Sequence, residues 1–138
     1  SNGDFYLLQS LFEDERSSQE LFVDTRTVRV AESLMFCANL YENLGVIGDA
    51  PMSIRVTHRG LKGRTLTAAS PNRMVMPTTT VEDTSESESQ ASVAALRQRL
   101  SDHVVHVVEP MFMLFDFKRF DRKVYDEIVG NFAAGRVT

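Results

Sequence analysis

The chain has 138 residues, of which 43% are hydrophobic and 25% charged, and its formal net charge is −4. A chain of this size and composition buries enough surface to fold as one domain without a metal or a disulfide, and its one cysteine, Cys37, excludes an internal disulfide. The acidic balance argues against a surface that is devoted as a whole to nucleic acid.

The first residues, Ser1-Asn2-Gly3, lack an initiator methionine. They are typical of the scar that a protease leaves on a cloned fragment, so residues 1–3 are set aside from fold reasoning. We expect residues 4–138 to form a single α+β domain that belongs to a longer protein.

In the N-terminal half, the residue pattern predicts two strands followed by a long helix. The segments before the helix are a Phe-, Tyr- and Leu-rich strand at 4–12, a polar loop at 13–20 and a short returning strand at 21–23. Asp24 or Thr25 is the expected cap of the helix, because a short side-chain oxygen accepts hydrogen bonds from first-turn amides. Apolar residues recur at helical spacing from Val28 to Tyr41, and Gly45 marks the expected end.

The middle of the chain predicts a β-hairpin and a further strand. Two β-friendly runs, 53–58 and 64–69, flank the loop 59–63, whose two glycines suit a turn that needs positive φ. A break is expected at 70–73. Residues 78–90 are rich in Thr, Ser and Glu and predict either a mobile loop or, as we favour, an exposed edge strand whose charges oppose aggregation.

The last third predicts two helices. One begins at Ser92 and carries apolar residues as far as Val107, and Pro110 is expected to kink or end it. The other is capped by Asp121, has apolar residues at every fourth position and is closed by Gly135. The resulting order predicts an α+β fold in which a mostly antiparallel sheet of about five strands carries three helices on one face.

No pattern for catalysis, metal binding or a nucleotide cofactor emerges from the sequence. Cys37 lies among apolar helix residues, where a buried thiol is inert, and there is no nucleophile elbow. His103 and His106 lie three residues apart, which is a weak metal signal beside paired cysteines or an HExxH pattern. The loop 60–64 matches neither the P-loop nor the dinucleotide fingerprint. We therefore expect no catalytic residue, no metal site and no cofactor.

A basic stretch is the most distinctive chemical feature. Residues 52–81 contain no Asp or Glu, and their basic residues are Arg55, His58, Arg59, Lys62, Arg64 and Arg73. All of these except His58 and Arg73 form a candidate site for an anion or nucleic acid on the predicted hairpin. The alternative, which we favour, is that Glu82, Glu86 and Glu88 pair with the arginines across strands.

Arg26 and Arg29 form a second candidate anion site, in the first turn of the first helix. Cations there oppose the helix dipole by about 0.3–1 kcal/mol each, so a compensating anion is expected nearby. That anion is either external or, as we favour, internal, from Asp24, Glu32 or the stretch 13–15.

Three segments together resemble a known bacterial family. They are Phe5-Tyr6-Leu7-Leu8-Gln9-Ser10-Leu11-Phe12-Glu13-Asp14-Glu15, Leu21-Phe22-Val23-Asp24-Thr25-Arg26 and His58-Arg59-Gly60-Leu61-Lys62-Gly63-Arg64. The resemblance is to the region that follows the Schlafen/AlbA-type DNA-binding domain, and it extends through Phe115-Asp116-Phe117 and Val124-Tyr125. It implies an upstream domain that binds nucleic acid or ATP, whose functional residues match nothing here. It also implies that this region is an accessory domain for sensing, assembly or docking.

Two functions are therefore expected. The favoured one is a non-catalytic accessory domain of a bacterial cytoplasmic regulator, acting through self-association or a protein partner. The alternative is a module that binds nucleic acid or another anion through the basic hairpin, and an enzyme is the least supported reading. No membrane contact is expected, because the apolar stretch Val104–Phe117 is interrupted by polar residues and shorter than the ~20 residues that a bilayer requires. One cysteine and no visible signal peptide fit the cytoplasm.

Overall fold

The computed structural model describes residues 4–15, 19–70, 75–116 and 121–136. The expected scar at 1–3 lies outside these residues, as do parts of the predicted loop at 13–20 and of the predicted break at 70–73. The elements in chain order are a short 3₁₀ helix at Phe12–Glu15, strand β1 at Glu20–Phe22, helix α1 at Val23–Asn43, strands β2 at Met52–His58, β3 at Thr65–Thr67, β4 at Thr78–Thr79 and β5 at Ser85–Ala91, and helices α2 at Val93–Gln98, α3 at Leu100–Met113 and α4 at Arg122–Ala133.

This arrangement confirms the α+β class and the five strands. The strands divide into two small sheets rather than one, and four helices are described where three were expected. The extra helix arises because the predicted helix from Ser92 breaks at Arg99, whose φ of −129° and ψ of 40° lie outside helical values. Pro110 does not end α3, which continues to Met113.

The predicted β-hairpin is wrong, because the two runs around the glycine loop join different sheets. β2 pairs antiparallel with β5, whereas β3 pairs parallel with β1 and antiparallel with β4. Gly60 and Gly63 do adopt positive φ, 74° and 79°, as predicted. The turn nevertheless carries the chain away from β2, and it brings Leu66 opposite Leu21, where both side chains are fully buried.

The strand predicted at 4–12 is also wrong. Residues 4–11 run without helix, strand, turn or bend, and the short 3₁₀ helix follows. A strand needs hydrogen bonds from a neighbouring strand, and no described strand pairs with this segment. It lies on α1 instead, where the ring centroids of Phe5 and Phe36 are 5.6 Å apart.

The helix ends follow local sequence signals, with one exception. Ser92 caps α2 by accepting a hydrogen bond from the Ala95 N–H, and Asp121 caps α4 by accepting one from Lys123, both as predicted. The predicted cap of α1 is wrong, because α1 begins at Val23 and the Phe22 before it offers no side-chain cap. Asp24 lies inside the helix and accepts hydrogen bonds from elsewhere in the chain.

The hydrophobic core is centred on α1, which packs against α2, α3 and α4. Fully buried side chains reach this core from several elements, among them Leu21, Leu66, Leu96, Val104 and Tyr125. The sheet formed by β2 and β5 packs on α3. Within the described ranges, every helix is too short or too polar to cross a lipid bilayer.

Candidate functional site

A buried ion pair joins the chain entering β1 to the first turn of α1. Glu13 is fully buried, and its Oε2 accepts hydrogen bonds from the Arg26 Nε at 2.8 Å and from the Phe22 N–H at 3.1 Å. Its Oε1 lies 2.8 Å from Nη2 of Arg26 but has no well-directed hydrogen bond. Arg26 is 5% exposed, so this cation is neutralised internally and is closed to an external anion. The internal pairing that we favoured for Arg26 is confirmed.

The same region contains two further buried polar groups. His58, at the end of β2, is 8% exposed, and burial, followed by the positive charge of Arg26, lowers its pKa to about 4. Its imidazole is therefore neutral near pH 7. The Asp24 carboxylate accepts hydrogen bonds from the Ala69 and Ser70 amides, both at 2.8 Å, and so anchors the chain beyond β3 to α1.

Arg64 and Arg29 are also held by partners within the chain. Arg64 is 8% exposed and donates to the carbonyls of Gly60 and Glu20, at 2.7 and 3.1 Å, and to the Asp14 carboxylate at 2.6 Å. Arg29 forms an ion pair with Glu32 at 2.9 Å, and its guanidinium carbon lies 4.7 Å from the centroid of the Phe12 ring. Both arginines fix local structure.

The cross-strand pairing that we favoured for Arg55 is confirmed. Arg55 lies opposite Glu88 in the β2–β5 ladder and donates through Nε to its carboxylate at 2.6 Å, while Glu86 lies 3.5 Å away. The pKa of Arg55 is raised, first by the hydrogen bond to Glu88 and then by the negative charges of Glu88 and Glu86. Two carboxylates thus face one guanidinium on this sheet surface.

Arg59 and Lys62 are the candidate site residues that remain exposed without an ion pair to any described carboxylate. Their loop is hydrogen-bonded to an acidic one, because the Leu61 N–H donates to the Asp83 carbonyl at 3.0 Å. Of the six arginines and lysines proposed as anion ligands, the fold leaves these two available. It places them next to a segment that carries negative charge.

The side chains considered for catalysis or metal binding do not converge. Burial raises the pKa of the Cys37 thiol, which makes it a poorer nucleophile. The His106 Nε2 lies 3.0 Å from the Glu88 carbonyl oxygen, and the pKa of His103 is lowered, chiefly by burial. Among the described residues, no three His, Cys, Asp or Glu side chains are grouped closely enough to hold a metal ion.

Four consecutive exposed apolar residues form a segment that we call the apolar arm, residues 5–8 (Phe-Tyr-Leu-Leu). Tyr6 and Leu8 are 85% and 81% exposed, whereas Phe5 and Leu7 are about half as exposed, at 41% and 46%. Phe5 contacts α1 through Phe36, and the side chains of Tyr6 and Leu8 lie largely in solvent. Four consecutive large apolar residues, two of them more than 80% exposed, are unusual for a folded surface.

An open groove of about 670 Å³ lies between α1, the α2–α3 junction and α4. Its apolar lining includes Leu100 and Val129, but its charged groups are already engaged. Arg97 pairs with Glu42, and Asp126 accepts from Ser101 at 2.5 Å and pairs with Arg122. The groove therefore offers little free polar chemistry with which to orient a small ligand.

Two features of the site were missed or only partly found from sequence. Glu13 was assigned to a loop, although the unfavourable position of Arg26 at a helix N-terminus pointed to an internal anion in that stretch. The apolar arm was predicted to be a strand. Composition alone could not show whether another strand pairs with it. No family model matches the chain, and the comparisons with curated proteins and with solved structures also found no match.

Proposed function

We propose that this chain is a non-catalytic assembly module that associates with further copies of itself through the apolar arm. The observation that carries the proposal is the exposure of Tyr6 and Leu8, at 85% and 81%, on a segment that forms no strand pairing with the described residues. Leaving such side chains in water forgoes about 1.5–3 kcal/mol per residue that burial would contribute. Contiguous exposed apolar patches, and tyrosines within them, are typical of protein interfaces.

Nucleic-acid binding is the weaker proposal on electrostatic grounds. Arg55 is held by two carboxylates, Arg64 is buried, and the exposed Arg59 and Lys62 adjoin Asp83. A phosphate backbone requires several uncompensated cations along one surface, and the net charge of −4 opposes binding at long range. Salt-sensitive oligonucleotide binding would reverse this ranking.

The proposal extends to the protein in which this domain acts. The resemblance noted from sequence favours an accessory domain in a cytoplasmic bacterial DNA-binding regulator, where assembly of this domain would bring several upstream domains together. Two linked DNA-binding domains gain affinity through effective concentration, which is a common use of a domain that only self-associates.

Sedimentation velocity over about 1 μM to 1 mM tests the proposal, because that range covers weak and moderate protein association. We expect the wild-type chain to form dimers or larger assemblies as its concentration rises. The variant Tyr6→Ser with Leu8→Ser should associate at least about 100-fold more weakly, since it removes two side chains worth about 1.5–3 kcal/mol each on burial.

The matched control is Met76→Ser with Val81→Ser, which removes two other side chains that are 83% and 82% exposed. This control should associate like the wild type. A wild-type chain that stays monomeric throughout, or a control that weakens association as much as the arm variant, would contradict the proposal.

A further inference from the structure

The edge of β2 that faces away from β5 has no strand beside it among the described residues. β2 is seven residues long and pairs only with β5 in its sheet. The other strand of the sheet, β5, packs against α3, and Nε2 of His106 lies 3.0 Å from the Glu88 carbonyl oxygen. An unpaired strand edge presents a row of N–H and C=O groups that can receive a further strand.

The inner face of this small sheet is also incompletely covered. Met52, Ile54 and Val56 point toward the core but remain partly exposed. Their neighbours across the ladder are small: Ile54 lies opposite Ser89 and Val56 opposite Ser87. A third strand beside β2 with apolar side chains on this face would cover the exposed parts of Ile54 and Val56.

The N-terminal segment 4–11 has the properties that such a strand needs. It is eight residues long, close to the length of β2, and its residues 5–8 alternate between side chains about half exposed and side chains more than 80% exposed. Phe5 and Leu7 are 41% and 46% exposed where they lie, so strand addition must replace the burial of a little more than half of each side chain. Placed along a sheet edge, the same alternation directs one set of apolar side chains to the inner face.

Charge favours β2 over β5 as the receiving strand. The one charged side chain in segment 4–11 is Asp4. The solvent face of β5 carries Glu86 and Glu88, whereas that of β2 carries Arg55. An incoming strand that carries Asp4 would therefore have two carboxylates as neighbours at β5, whereas the solvent face of β2 contributes no carboxylate of its own.

We infer that the segment 4–11 of one copy adds to the free edge of β2 in a second copy, so that each copy completes the other's two-stranded sheet. This inference rests on the self-association proposed above and names the surface that receives the arm. Strand addition of this kind draws affinity from backbone hydrogen bonds and selectivity from alternate side chains. A two-fold dimer built in this way contains the contact twice.

Isotope-filtered NMR on a sample mixed from labelled and unlabelled chains tests the inference. We expect intermolecular nuclear Overhauser effects between the side chains of Tyr6 or Leu8 in one copy and those of Ile54 or Val56 in the other. In Tyr6→Ser with Leu8→Ser these should fall at least tenfold in intensity, while the intramolecular contacts between β2 and β5 persist and show that the sheet is intact.

Dimers in which the arm contacts a surface other than β2 would overturn this inference and leave the proposed self-association through the arm standing. Dimers whose contacts exclude the arm would overturn both. Chains that remain monomeric at all concentrations would overturn both. Overhauser effects between the arm and β2 could also arise within one chain. If they are equally strong in uniformly labelled protein at a concentration where it is monomeric, strand addition between copies is refuted.

Discussion

Replacing Arg26 with methionine should be among the most destabilising single changes in the chain. Arg26 is 5% exposed, and its Nε donates to the Glu13 carboxylate at 2.8 Å; Glu13 is fully buried. After Arg26→Met the carboxylate keeps the Phe22 N–H as a donor but loses its counter-charge. Removing one member of a buried ion pair typically costs about 3–5 kcal/mol, because the other charge is left uncompensated in a medium that water cannot reach.

This cost is large beside the total, since a domain of this size is stable by only about 5–15 kcal/mol. Urea denaturation followed by far-UV circular dichroism measures it. With a slope of about 2 kcal/mol per molar urea, the midpoint should fall by roughly 2 M. The matched control is Arg29→Met, one helical turn away, whose ion pair with Glu32 is more than 40% exposed and should contribute about 1 kcal/mol or less.

The double variant Glu13→Met with Arg26→Met separates the lost charge pairing from lost packing. It should be less destabilised than the sum of the two single variants, because no charge is left buried and the remaining cost is chiefly the unpaired Phe22 N–H, about 1–3 kcal/mol. If Arg26→Met costs no more than Arg29→Met, or if the two single changes simply add, then the pair is not the buried anchor that its geometry indicates.

Two further predictions concern His58 and the arginines once considered as anion ligands. The pKa of His58 is lowered to about 4 in the folded chain, whereas an unfolded histidine titrates at about 6.5. Between these two pH values the unfolded chain binds a proton at His58 that the folded chain does not. The free energy of unfolding is therefore highest above this window and falls by about 2 kcal/mol at pH 5 and about 3 kcal/mol at pH 4. In His58→Phe that part of the pH dependence of urea stability should vanish, and an unchanged slope would contradict the buried, neutral imidazole. Arg64→Met should cost about 2 kcal/mol or more, because it leaves two backbone carbonyls and a carboxylate without their donor, whereas Arg55→Met should leave the urea midpoint unchanged within error; equal losses would contradict the difference in burial.

Features decided within a few residues could be predicted from the sequence. The caps at Ser92 and Asp121 depend on an oxygen that reaches an amide two or three residues ahead, and the turns at Gly60 and Gly63 depend on the φ of single glycines. The long helix α1 follows from its own periodicity. Each of these signals lies in the segment that it shapes, so reading that segment was enough.

Features decided by distant partners could not be predicted in the same way. Two β-favouring runs around a short loop predicted a hairpin between β2 and β3. Instead β3 pairs with β1, and Thr65 lies opposite Glu20, which is 45 residues earlier in the chain. The burial of Glu13 depends equally on Arg26, which belongs to the next element. Periodicity and composition describe what each segment prefers and do not identify the segment that it meets.

The apolar arm belongs to a third category, in which the residue types favour a strand that the described residues do not form. Phe, Tyr and Leu in alternation favour a strand, but no described strand offers segment 4–11 a ladder, while β2 has an edge that no described strand covers. Natural sequences tend to be locally consistent with their folds, and departures concentrate at functional sites. In the proposed dimer, the segment without a partner strand would pair with the edge of β2 that no described strand covers. The wrong strand prediction therefore motivates the proposal of an interface.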